Sequence, residues 1–146
     1  MEKSFVVINF PVSKHVYKYL QKKVGEKLVA TRSDYFGSLV LDIISKKYYK
    51  NHTLSSELSF PVEIGFRYLV DYGIYLNTSI VKKFDLQIDN MFREEMIAHI
   101  EIMVSKDFER KEALEDFLHY YNIDEDDIKL ETLLKFFDRK IKERKI

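Results

Sequence analysis

Between residues 78 and 104 the apolar side chains Ile80, Phe84, Ile88, Phe92, Met96, Ile100 and Met103 recur at intervals of four residues and finally three. Such spacing keeps them on one side of an α-helix, and a strand would scatter them over both faces. One continuous helix, opened by Asn77 or Thr78 as a cap, therefore runs through the middle of the chain and forms the backbone of the fold.

The segments before it read as mixed structure. Residues 4–10 are β-branched and aromatic and stop at Pro11, as a strand would. Ser13 is placed to cap a helix over KHVYKYLQKKV that Gly25 closes, with Val16, Leu20 and Val24 on one face and Lys14, Lys18 and Lys22 on another. EKLVAT reads as a short strand. Thr31 and Asp34 form a capping box before a second helix that runs to Tyr49, with an apolar stripe reaching Tyr48, and Gly37 inside it signals close approach by another element. After a polar loop at 51–57, Val62, Ile64, Phe66 and Tyr68 alternate with Glu63, Gly65 and Arg67, which predicts sheet over 58–76 with a turn at Tyr72-Gly73. The fold class expected is α+β: a helix-rich core domain over 1–106 with a small sheet, and a C-terminal helical subdomain over 107–146.

Several function classes find no support. The chain has 146 residues and no cysteine, which excludes disulfides, thiolate metal sites and a cysteine nucleophile. No apolar run approaches the roughly 18 residues of a membrane span, and the start has no secretory-signal pattern, so a cytoplasmic or virion-associated protein without a membrane partner is expected. His15, His52, His99 and His119 lack helical metal-pair spacing, the serines fit no nucleophile elbow, and the glycines form no phosphate loop. No catalytic residue, metal site or cofactor is nominated, and a non-enzymatic protein is expected.

Charge is the informative property. Lys plus Arg and Asp plus Glu both total 24, yet residues 1–50 hold 10 basic and 4 acidic residues, whereas residues 107–131 hold 3 and 10. The acidic run Asp124-Glu125-Asp126-Asp127 fails as a calcium loop, because the fifth, sixth and twelfth positions counted from Asp124 are Ile128, Lys129 and Lys135. It reads instead as a turn in which Asp124 caps and Asp127 reaches back. Beyond it Leu130, Leu133, Leu134, Phe137 and Ile141 share one helical face, with Lys135, Arg139 and Lys142 opposite. Helix, turn and basic helix in this order match what a helix-turn-helix uses against DNA. The same residues also read as a terminal amphipathic helix whose cations suit its negative dipole end and keep it soluble.

The stretch KEALEDFLHYYNIDEDDIKLETLLKFFDRKIKERK, through Ala113, Phe117, Tyr121, Ile123, Asp126, Asp127, Leu133 and Arg139, resembles the endings of small, mostly uncharacterised proteins of phages and mobile elements of gut bacteria. That resemblance covers about a quarter of the chain and implies a mobile-element origin. The function expected is DNA binding or an accessory role, through Lys135, Arg139 and Lys142 with Lys14, Lys18 and Lys22 as a further basic stripe. The alternative is a protein-interaction or virion-assembly component that docks on a protein partner or self-associates.

Overall fold

The computed structural model describes residues 4–44, 58–73, 75 and 78–144. The predicted second-helix tail through Tyr48 and Tyr49, with Lys46, Lys47 and Lys50, the loop at 51–57 with His52, the cap Asn77 and the side chain of Ile80 lie outside these residues. The elements are β1 (Phe5–Val12), α1 (Lys14–Val24), β2 (Leu28–Val29), α2 (Tyr35–Ile43), β3 (Leu58–Gly65), α3 (Phe66–Tyr72), α4 (Thr78–Ser105), α5 (Arg110–Tyr120) and α6 (Leu130–Arg144). Six helices and a three-stranded sheet among the described residues make this an α+β fold. The chain forms two compact units, Met1–Ile88 and Asp89–Ile146, with the boundary inside α4.

In the first unit the sheet order is β1-β3-β2, with β1 antiparallel and β2 parallel to β3. Phe10, Val12, Phe60, Val62, Ile64 and Leu28 turn to a buried face, where they join Val16 and Leu20 of α1, Val40 and Leu41 of α2, and Val81, Phe84 and Ile88 of α4. Phe10 and Phe84 meet edge-to-face with ring centroids 5.3 Å apart, the arrangement that ring quadrupoles favour.

Hydrogen-bond direction explains two prolines inside the strands. The Phe66 amide donates to the Ser4 carbonyl, which makes the even residues of β1 the ones bonded to β3 and aims the backbone groups of the odd ones at the open edge. Pro11 stands at an odd position, where no ladder bond needs its nitrogen. Pro61 faces the β2 side, but β2 begins only opposite Val62, so no bond is missing there either.

Four expectations are corrected. Residues 66–72 form α3 and not strand: among the described residues β1 pairs β3 only as far as Gly65, and beyond it a helix satisfies the backbone internally. Alternation misled because Phe66 is exposed and Leu69 is the buried residue. The cap of α2 is Asp34, whose carboxylate accepts from the Phe36 and Gly37 amides, while the Thr31 hydroxyl pairs with that of Ser33. The helix ends at Ile43 with Ile44 extended, at a β-branched pair whose side chains lose freedom in a helix. Ser13 precedes α1 in cap geometry but does not cap it with its side chain, which donates to Asp85 instead.

Gly37 has the neighbour expected of it. A Cβ there would lie 2.5 Å from the Thr31 nitrogen and 2.6 Å from its carbonyl oxygen, so the 30–31 backbone crosses α2 where only glycine fits. Gly25 and Gly73 close α1 and α3 in backbone conformations with φ of 90° and 101°.

The second unit is helical. Phe92, Met96, Ile97 and Ile100 of α4 are buried with Ala113, Leu114, Phe117 and Leu118 of α5 and Leu133 and Phe137 of α6. Phe92, Phe117 and Tyr121 form an aromatic triangle with centroids 5.1–6.4 Å apart, and the Tyr121 hydroxyl donates to Glu95. Helices α4 and α5 both end in the bond pattern of a Schellman motif. Phe108 and Asp107 donate back to Met103 and Val104, and Ile123 and Asn122 donate to Leu118 and His119. Asp107 and Asn122 take the left-handed position usually given to glycine, with φ of 70° and 58°.

Candidate nucleic-acid interface

The lysine row of the first unit follows from the phase of α1. Burying His15, Val16, Tyr19 and Leu20 turns Lys14, Lys18 and Lys22 to the opposite side, each about 6 Å along the axis from the next at 1.5 Å rise per residue. Lys14 and Lys22 are exposed and Lys18 is half-buried. The helix contains no carboxylate at all. Lys23, outside the row, places its ammonium over the Tyr19 ring at 5.5 Å. Lys22 and Lys23 also occupy the last turn, where cations suit the helix dipole.

The row on α6 has different surroundings. Leu133 and Phe137 are buried, which leaves Lys135, Arg139 and Lys142 on the outer side within an arc of roughly 60°. Lys135 is paired with Glu131 at 3.0 Å across one turn. The Arg139 guanidinium lies 5.7 Å from the Phe136 centroid. Of the other cations on this helix, Lys140 pairs with Glu143, and Arg144 with Glu101. Asp138 on its side takes Arg110. Arg139 and Lys142 are the α6 cations without a carboxylate partner among the described residues.

Sequence reasoning missed Phe136, which gathers cations: Arg93 at 4.6 Å, with Arg139 and Lys140 each at 5.7 Å. It borders a groove of about 510 Å³ lined by Arg93, Ile97, Phe136, Lys140 and Arg144, with Glu94 and Glu143 among them. Arg93 is held by Asp89 at 2.9 Å, so each cation of this groove already faces a carboxylate, and little net field is left for an anion. No short-range signal announces this cluster, because its members come from two helices far apart in sequence.

The acidic run folds as the turn its sequence suggests. The Asp124 carboxylate accepts from the Asp126 amide, Asp127 accepts from the Asp124 amide, and Glu125 accepts from the Leu130 amide at the start of α6. These bonds make the connector at 121–129 an ordered piece of its own, longer than the three or four residues that join the helices of a DNA-binding helix-turn-helix. Elsewhere His99 meets Asp116 at 3.0 Å over the Phe117 ring, and His15 is buried.

The two compact units carry opposite charge. Residues 1–88 hold 13 Lys and Arg against 8 Asp and Glu, and residues 89–146 hold 11 against 16. The α1 row thus sits in the basic unit and the α6 row in the acidic one. None of the helices among the described residues is long and apolar enough to cross a membrane. Comparison with protein-family models, curated proteins and solved structures yields no match.

Proposed function

We propose that this chain is a non-enzymatic nucleic-acid-binding or accessory protein of a phage or mobile element, and that α1 makes its principal phosphate contact. The observation that carries the reading is the row Lys14, Lys18 and Lys22 on a helix without carboxylates, in the unit with the basic surplus. A phosphate backbone responds to local cation density rather than to net charge, which is zero for the whole chain. The α6 residues Lys135, Arg139 and Lys142 serve as a weaker, second contact, because the unit around them holds the acidic surplus and repels phosphate.

Fluorescence anisotropy with labelled duplex and single-stranded DNA, at low and near-physiological salt, tests this. Replacing Lys14, Lys18 and Lys22 by alanine should lower affinity at least about tenfold and flatten the salt dependence by roughly 2–3 in log–log slope, at about 0.7–0.9 for each phosphate no longer neutralised. The Lys135, Arg139 and Lys142 triple alanine variant should be less impaired. Absence of binding by the parent protein at low salt would refute the reading, and a protein partner would then be the better account.

A further inference from the structure

The first strand carries an unused set of hydrogen-bonding groups whose arrangement is symmetric. Because the even residues of β1 bond to β3, the amides and carbonyls of Phe5, Val7 and Asn9 point away from the sheet, and none has a hydrogen-bond partner among the described residues. All three residues are exposed, Phe5 and Val7 to about half. Val6, whose side chain lies on the opposite face, is also 43% exposed. Natural proteins blunt such an edge with lysine, inward-pointing charge, bulges or proline. Here Pro11 does so at one end only, and residues 4–13 contain no ionisable side chain.

We propose that the partner of this edge is a second copy of the chain, paired antiparallel through β1 across a two-fold axis at Val7. The argument for a copy, rather than a foreign strand, is self-complementarity. In an isologous contact each side chain meets its own kind or its mirror partner, so any charge near the axis would face a like charge. From Ser4 to Ser13 there is none. With the axis at Val7, Phe5 stands opposite the partner's Asn9 and Val7 opposite its own copy. Every outward-facing amide and carbonyl of Phe5, Val7 and Asn9 is then used on both chains, in three narrow pairs that exchange two bonds each. Sliding the register by one residue, which moves the axis by half a residue, sets outward-facing groups against groups already bonded to β3. Shifting it by two towards the C-terminus brings Pro11 into the ladder, where it has no proton to give. The result is one sheet of six strands running through both copies.

The absence of cysteine allows a direct test. Narrow antiparallel pairs hold their Cα atoms about 5.5 Å apart, within disulfide reach. Val7→Cys should therefore oxidise readily to a covalent dimer, whereas Leu86→Cys, equally exposed on α4 at 59%, should not. Light scattering on the parent protein at about 100 µM should give twice the 17.5 kDa chain mass, Val7→Lys should give the single-chain mass, and Val7→Thr should stay dimeric. A monomeric parent, a Val7→Lys dimer, assemblies larger than two, or cross-linking no faster at position 7 than at 86 would each overturn the proposal. If Val7→Lys fails to fold, the cysteine rates decide the matter.

Discussion

Asp85, on α4, accepts hydrogen bonds from both the amide and the hydroxyl of Ser13, at 2.9 and 2.6 Å. The two residues are 72 positions apart, and the bond fixes the point where β1 turns into α1. A carboxylate also stands beside the positive end of that helix, where it adds a favourable charge–dipole contact. Asp85→Ala should lower stability by about 2 kcal/mol and Ser13→Ala by about 1 kcal/mol, typical of hydrogen bonds to a charged group. The double variant should cost little more than Asp85→Ala alone, since both act on one interaction. Urea unfolding of the four proteins measures this coupling.

Gly37 and Gly25 predict different responses to the same change. Gly37→Ala drives a Cβ into the backbone of Thr31, which cannot swing away as a side chain would, and should cost about 1–3 kcal/mol. Gly25→Ala meets no atom within 4 Å, but must hold a φ of 90°, and should cost about 1–2 kcal/mol through backbone strain. Crystal structures of the variants should show α2 displaced in the first and the backbone at residue 25 altered in the second.

The α1 stripe, the long helix and the acidic turn were legible in the sequence because each depends on neighbours within four residues. Thr78 to Val104 was expected as helix and Thr78 to Ser105 is observed. Residues 66–72 were misread because the end of a strand is decided by its partner: β1 stops pairing β3 at Gly65, whose partner Phe5 lies at the far end of the first unit's sequence. The same limit applies to the candidate site. That Lys135 and Arg139 share a face is a matter of helical phase, whereas Arg144 bonding Glu101 and Arg110 bonding Asp138 depend on which helices pack together.

Arg32 ties α2 to α3. Its guanidinium bonds Asp42 at 2.8 Å and Ser38, donates to the Tyr72 hydroxyl and lies over that ring at 4.7 Å. The Asp42 hydrogen bond first, and the Tyr72 one second, raise its pKa above an already high ordinary value. A cation whose folded pKa is raised stabilises fully below its unfolded pKa and gives up that contribution only as pH rises through the folded one, so Arg32 stays charged at any working pH. Arg32→Ala should speed amide exchange across 66–72 while leaving α4 unchanged, as read by hydrogen–deuterium exchange.

At the acidic turn, Asp124→Ala should cost about 1 kcal/mol, the worth of a helix cap. Adding about 1 mM calcium should leave the melting temperature of the parent protein unchanged, since the sequence lacks the ligand spacing of an EF-hand loop.

Asn122 gives a milder case. Its left-handed backbone tolerates Asn, so Asn122→Gly should be neutral or stabilising by a few tenths of a kcal/mol, and Asn122→Ala should cost about 1 kcal/mol. Thermal melts of the two variants distinguish these outcomes.

The prolines of the sheet bear on how this chain can diverge. Pro11 and Pro61 are harmless only because each nitrogen points away from the β1–β3 ladder, a property of odd and even position rather than of side-chain fit. A single-residue deletion or insertion between Phe5 and Pro11, or between Pro61 and Gly65, would reverse that parity and turn a residue without an amide proton towards the opposing strand. Descendants of this sequence can therefore exchange uncharged side chains on the exposed face of the sheet, but can change the length of either strand only two residues at a time.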